Sequence, residues 1–243
     1  MSKFFPRLNM GKLKLSFYVV DNGGSLESSK YLSKKIPEAK IITSINNLGF
    51  AGGSNLAIKE ALLNGADFVL LINPDTVIET KDFLIKMIET KADIVAPLIK
   101  YRLNNQITFD YGGKVDYLFG RNTHITSHFK NDPTDSPDYF TGACLLIKTA
   151  VFKKIGLLDE GYFLYYEDAD FCLRAVQAGF TQKLCREAIV FHSLSTTTSK
   201  IGKKKISIIV SSHLRFCQKH LPVLSAPFFL AFNLYLRLKI LFP

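Results

Sequence analysis

Three short apolar runs, each closed by a polar turn, constrain this chain more than any other feature. Residues 15–20 (LSFYVV) run into Asp21-Asn22-Gly23-Gly24, residues 40–45 (KIITSI) into Asn46-Asn47, and residues 67–72 (DFVLLI) into Asn73-Pro74-Asp75-Thr76. Runs of this length bounded by turn residues read as buried strands. Segments 25–35, 56–63 and 81–89 read as helices between and after them, and 93–96 as a fourth strand. Near-continuously apolar strands alternating with helices predict an α/β fold, a mostly parallel sheet flanked by helices. Ligands of such sheets gather at the carboxyl ends of the strands, where Asp21 and Asp75 fall.

Residues 98–138 break this rhythm. They are polar and turn-rich, contain Tyr111-Gly112-Gly113, and read as short strands and loops crossing the sheet. His124 and His128 read as surface groups, since neither has a partner at metal-site spacing. A strand returns at 139–148 (YFTGACLLIK), entered through Thr141 and Gly142, small residues that permit close approach by a ligand. A helix at 149–155 stops at Gly156.

The stretch 159–174, DEGYFLYYEDADFCLR, then places five carboxylates (Asp159, Glu160, Glu167, Asp168, Asp170) among four aromatics, Tyr162, Phe163, Tyr165 and Tyr166. Carboxylates beside an apolar wall are held at raised pKa. The pattern turns helical from Tyr166, so Glu167 and Asp168 fall in a first turn, where acids also complement the helix dipole. Asp170 and Arg174 have the spacing of an i,i+4 pair. The last apolar strand ends at Phe191-His192.

With 243 residues, 47% of them hydrophobic, the chain can bury a substantial core as one domain. Four widely spaced cysteines without a CxxC pair read as reduced core residues in the cytosol and argue against a zinc site. The opening sixteen residues hold no apolar run of signal-peptide length. Of the net charge of +10, +8 lies beyond Glu187, after which no Asp or Glu occurs. The final 22 residues are strongly apolar with Arg237 and Lys239 interleaved. They fall short of a clean spanning helix; an interfacial segment on an anionic membrane surface fits them better, with a C-terminal helix packed on its own domain as an equal alternative, and a nucleic-acid contact is less favoured. The expected organisation is an α/β domain over 1–199 and a basic, apolar helical extension over 200–243.

The glycine-rich run 46–55 (NNLGFAGGSN) ahead of a helix suggests an anion site, although it has neither Walker nor GxGxxG spacing. Asp75 at a strand end suits a divalent ion shared with a diphosphate, and suits a helix cap equally well. In order, VVDN (19–22), NNLGFAGGSN (46–55), LLINPDT (70–76), TGACLLIK (141–148), the acidic stretch and FH (191–192) resemble the family 2 inverting glycosyltransferases. The rhamnosyltransferase-like branch, which acts on bacterial surface polysaccharides, is the nearest in pattern.

The resemblance implies a GT-A (Rossmann-like) fold and transfer of a sugar from a UDP- or dTDP-sugar to a hydroxyl of a lipid-linked or polysaccharide acceptor. It implies that Asp21 and Asn22 contact the nucleoside, and that Asn47, Gly49, Gly52, Gly53 and Asn55 line the nucleotide pocket. Asn73 and Asp75 stand at the DxD-type motif. Asp75 and His192 would hold Mg²⁺ or Mn²⁺. Thr141, Gly142 and Tyr166 would border the acceptor, and Asp168 matches the catalytic base, with Glu167 as its rival. No nucleic-acid partner is expected; a cytoplasmic location, peripheral on the inner membrane face, is. The family pattern also has a strand and helix ahead of VVDN that residues 1–14 are too short to supply. An N-terminally shortened sheet is therefore expected. So is an alternative function, a catalytically impaired sugar-nucleotide-binding protein or one half of a split transferase.

Overall fold

The computed structural model describes residues 11–128, 136–193 and 203–241. The first ten residues and the expected boundary at 199–200 lie outside the described residues. Two sheets are formed. Strands β1 (Phe17–Asn22) and β2 (Ala39–Ser44), joined by helix α1 (Leu26–Lys35), pair in parallel as a two-stranded sheet. Ser25 caps α1 by accepting the Ser28 N–H, while the Ser28 hydroxyl accepts the Ser25 N–H, a reciprocal arrangement that satisfies two otherwise unpaired donors.

The second sheet has seven strands. Strands β3 (Phe68–Ile72), β8 (Cys144–Lys148), β5 (Ile94–Leu103), β6 (Gln106–Asp116) and β7 (Arg121–Ser127) lie side by side in that order. Strand β9 (Gln182–His192) pairs with β5 and with the short β4 (Thr76–Ile78).

Pairing direction differs from the sequence expectation. Among the described residues only β1–β2 and β5–β9 are parallel; the other ladders are antiparallel. The apolar runs reported coverage on both faces, which does not depend on strand direction. One face of the large sheet carries α2 (Gly49–Leu63), α4 (Thr149–Ile155) and α5 (Glu167–Gln177), with Ile58, Ile94, Ile147, Val151 and Phe171 fully buried between them. The other carries α3 (Phe83–Glu89), whose Phe83 and Met87 are buried against Val95, Leu146 and Val190.

The two sheets share the core around α2 but no ladder among the described residues. β1 is half-buried along its whole length, whereas the comparably apolar β8 is buried at its first four positions. β1–β2 thus stands apart from the large sheet.

Helix α6 (Lys203–His220) docks on α5 through the fully buried Phe216, and α7 (Ala226–Leu241) packs along α6, where Asn233 donates to the Val210 carbonyl at 3.0 Å. The four cysteines are free and buried, as their spacing suggested.

Candidate active site

Asp75 and His192 are brought together by one short ladder. The Asn73-Pro74-Asp75 turn leads into β4, which pairs antiparallel to β9 with Thr76 opposite His192. The Ser193 N–H closes the arrangement on the Asp75 carbonyl at 3.0 Å. In consequence His192 Nε2 lies 3.2 Å from Asp75 Oδ1, with both side chains partly open. Among the described residues no third His, Cys, Asp or Glu joins them.

The carboxylates of α5 arrive by a strained turn. Tyr165 and Tyr166 have φ of 70° and 73°, a left-handed backbone that costs non-glycine residues about 1–3 kcal/mol each. Packing holds them there: the Tyr166 ring lies against Phe216 of α6, with centroids 5.1 Å apart, and the Phe50 N–H donates to the Phe163 carbonyl at 2.8 Å. The helix therefore starts abruptly at Glu167.

Glu167 is buried, and its Oε2 has no partner among the described residues. Burial, and then the adjacent Asp168 charge, push its carboxyl up to about 8. Asp168 remains partly accessible. Its Oδ2 accepts the Gly142 N–H at 2.9 Å and its Oδ1 the Ala169 N–H at 2.8 Å. Burial raises its pKa, opposed by those two backbone donors and by the charge of His124.

These groups line one cavity of about 580 Å³. Of the residues singled out from sequence, Asn73, Asp75, Thr141, Gly142, Tyr166, Glu167, Asp168 and His192 line it together. Asp21, Asn22, Asn47, Gly49, Gly52, Gly53 and Asn55 do not. The glycine-rich run is not a loop: α2 already begins at Gly49, and Gly52 and Gly53 lie within its first turns. A Cβ at Gly53 would strike the Asn22 amide, which donates to the Gly49 carbonyl at 2.7 Å and accepts the Leu48 N–H at 2.8 Å. Asn22 thus braces the start of α2. Asn47 accepts the Gly49 N–H, and Asp21 accepts the Ser28 hydroxyl. Asn55 is fully engaged by protein: its amide donates to the Leu158 carbonyl and to Glu160, and accepts the Leu158 N–H.

Gly142 is approached closely by protein side chains, Phe50 and Asp168 itself. Cavity residues not found from sequence include Phe50, Asn122, His124 and Lys205. His124 is exposed, as expected, but at the cavity rather than away from it; it stands two residues from Asn122 on β7, the spacing that puts both on one face of a strand. That alternation was the available signal.

The remaining carboxylates of the acidic stretch hold structure. Asp159 accepts from Arg215 and Lys219 of α6, at 2.8 and 2.9 Å. Glu160 accepts from Asn55 at 2.9 Å. Asp170, fully buried, accepts from Arg174 at 2.8 Å as its spacing suggested, and also from Lys219 at 2.6 Å and His220 at 2.7 Å.

No protein-family model matches the chain. It is 30% identical over 192 residues to the low-salt glycan biosynthesis hexosyltransferase Agl10 of Haloferax volcanii, covering 73% of this chain and 58% of that protein. It is 24% identical over 239 residues to the N-acetylglucosaminyl-diphospho-decaprenol L-rhamnosyltransferase of Mycobacterium tuberculosis, covering 88% and 77%. Among solved structures, the mannosyltransferase PcManGT from Pyrobaculum calidifontis, in complex with GDP-Man and Mn²⁺, superposes with a TM-score of 0.57 at 12% identity, covering 98% of this chain and 65% of that one. The chain thus spans a little over half the length of the hexosyltransferase it matches. The fold is GT-A.

Proposed function

We propose that this chain, a GT-A-fold relative of the rhamnosyl- and hexosyltransferases, moves a sugar from a UDP- or dTDP-sugar to a hydroxyl of a lipid-linked or polysaccharide acceptor, inverting the anomeric carbon. One observation carries the reading: an accessible carboxylate, Asp168, shares a cavity with the Asp75–His192 pair. Inversion needs a base on the face opposite the leaving group. Asp168 takes that role, because each of its oxygens has one backbone donor and keeps a lone pair for a hydroxyl proton. Glu167 is the buried neighbour, and burial favours its neutral form.

Asp75 and His192 are the residues that would hold Mg²⁺ or Mn²⁺. One carboxylate and one imidazole suit an ion that completes its shell with diphosphate oxygens. Such an ion supplies charge stabilisation to a departing diphosphate. The test is calorimetric titration of UDP and dTDP with Mn²⁺ present. The wild type is expected to bind within about 1 μM–1 mM, the usual range for enzyme substrates, and Asp75→Asn to bind at least about tenfold more weakly. Equal binding by the variant removes Asp75 from the donor site.

A second reading, a sugar-nucleotide-binding protein of impaired turnover or half of a split transferase, is favoured by the separation of β1–β2 from the large sheet. Asp21 and Asn22 sit on that separate sheet, away from the cavity lining. In the same titration, no binding of either nucleotide by the isolated wild type favours the split transferase. Binding without turnover favours the impaired one.

Membrane attachment belongs to the proposal. Among the described residues no helix is long and apolar enough to cross a membrane. Val223 and Leu224, in the turn before α7, are 87% and 88% exposed, and Phe228, Leu230, Leu234 and Leu238 continue the exposed apolar surface along the helix. No acidic residue follows Glu187. Apolar side chains at such a corner, in an acid-free basic segment, suit shallow insertion into an anionic leaflet. Vesicles containing phosphatidylserine should retain the chain, neutral vesicles should not, and the double substitution Val223→Asp with Leu224→Asp should weaken retention by about tenfold or more, given about 1.5–3 kcal/mol per buried aliphatic side chain. Equal retention on both vesicle types contradicts this.

A further inference from the structure

The Tyr111-Gly112-Gly113 run, which the proposed reaction leaves without a role, builds a second polar pair at the cavity. The β6–β7 ladder shifts register between Asp110 and Gly113, and Gly112 adopts φ of 104°. This bulge turns the Asp110 carboxylate back onto the Gly112 N–H, which donates to Oδ1 at 2.8 Å. It also lets Tyr139 pass under the strand, where a Cβ on Gly113 would run into its ring. Oδ2 of Asp110 lies 2.7 Å from His124 Nδ1, across the hairpin on β7. Asp110 is buried, whereas His124 is 44% exposed at the cavity, its ring edge-on to Tyr139 with centroids 6.0 Å apart. A buried carboxylate gripping an imidazole by Nδ1 fixes the ring and favours its cationic form, while Nε2 stays on the far side of the ring.

We propose that Asp110 and His124 are a positioning pair for Asp168: Asp110 holds His124 as a cation beside the cavity, and that cation favours the ionised form of Asp168, which takes a proton from the acceptor hydroxyl. The inference rests on the reading of Asp168 as base. In that step the acceptor oxygen forms its bond to the anomeric carbon and gives its proton to Asp168. The bond from that carbon to the diphosphate oxygen breaks, and its electron pair leaves with the diphosphate.

The charges around the pair are consistent with this role. The hydrogen bond to Asp110 raises the pKa of His124; partial burial opposes it, and the charges of Asp110 and Asp168 add to it. Reciprocally, burial raises the pKa of Asp168, and the charge of His124 opposes that rise alongside the backbone donors. From α5, Glu167 adjoins Asp168, and burial favours its neutral form. Asp75 and His192 line the cavity and lie 3.2 Å from one another, and Lys205 of α6 lines it too. Arg121, on the strand of His124, pairs with Asp116. Tyr139 and Tyr166, both pushed upward mainly by burial, stay neutral.

Two measurements test the pair. NMR titration of the His124 ring in the full chain reads the coupling without turnover: Asp168→Asn and Asp110→Asn are each expected to lower its midpoint. An unmoved midpoint in Asp168→Asn overturns the proposal. The pH profile of kcat/KM reads the consequence. His124→Gln should move the acid limb to higher pH, lowering kcat/KM about tenfold at pH 6 and little at pH 9, with donor KM unchanged, since charge neighbours of a carboxylate act on this scale. A loss equal at every pH makes His124 merely structural and overturns the proposal while leaving the base reading standing. An active Asp168→Asn variant instead removes the base reading beneath it.

Discussion

Asp168→Asn is expected to lower sugar transfer by about 10²–10⁴-fold, the range that a positioned general base contributes, while nucleoside diphosphate binding persists. The amide has the shape of the carboxylate and its oxygen can still accept the Gly142 N–H, so the turn before β8 should keep its form. What it loses is the capacity to take a proton. Glu167→Gln is the comparator. Glu167 is buried and burial favours its neutral form, so its amide should retain most of the transfer rate. A reversed order, with Glu167→Gln inactive and Asp168→Asn active, would exchange the two roles.

The second large effect is on stability. Asp170→Ala is expected to cost about 3–5 kcal/mol, because it strips the shared carboxylate from Arg174, His220 and Lys219, of which Lys219 keeps Asp159 as a counter-charge. For a chain of this size the midpoint of thermal unfolding should fall by about 10 °C. Burial disfavours the charged form of Asp170, but hydrogen bonds from His220 and Lys219, with the charge of Arg174, outweigh it and hold the carboxyl at about 2. A lowered folded-state pKa means that this stabilisation is fully present above the ordinary carboxylate value of 3.8 and is lost as pH falls towards about 2. Wild-type stability should therefore drop across that window, and the variant should show less of the drop. Activity should suffer too, since the same bonds hold α6, whose Lys205 and Ile209 line the cavity. A midpoint within 1–2 °C of wild type, well under the roughly 2–4 °C expected per kcal/mol, would show the cluster to be dispensable.

The acidic stretch shows how far sequence reasoning reaches. Its helical half, the placing of Glu167 and Asp168 in a first turn, and the Asp170–Arg174 pair followed from spacing alone, because helix periodicity is a local property. The division of labour among its carboxylates did not. Asp159 and Asp170 are tied to α6, more than forty residues downstream, and only the packing of Phe216 against α5 brings those cations near. The β4–β9 ladder that joins Asp75 to His192 is likewise a long-range pairing; the ordered motifs named both residues, but nothing local placed them side by side. His124 was missed because its partner is a carboxylate across a hairpin rather than a metal ligand at short spacing. The glycine run misled in another way. Its glycines suggested a loop, whereas Gly53 serves close packing of α2 on Asn22.

These assignments converge on one assay. Wild-type chain incubated with Mn²⁺, an anionic vesicle carrying a diphosphate-linked sugar acceptor, and UDP- or dTDP-sugars in turn is followed by release of the nucleoside diphosphate. The account predicts acceptor-dependent release with one of these donors, a product of inverted anomeric configuration, and loss of both in Asp168→Asn. Nucleotide binding without release from any donor, or a product of retained configuration, would contradict it.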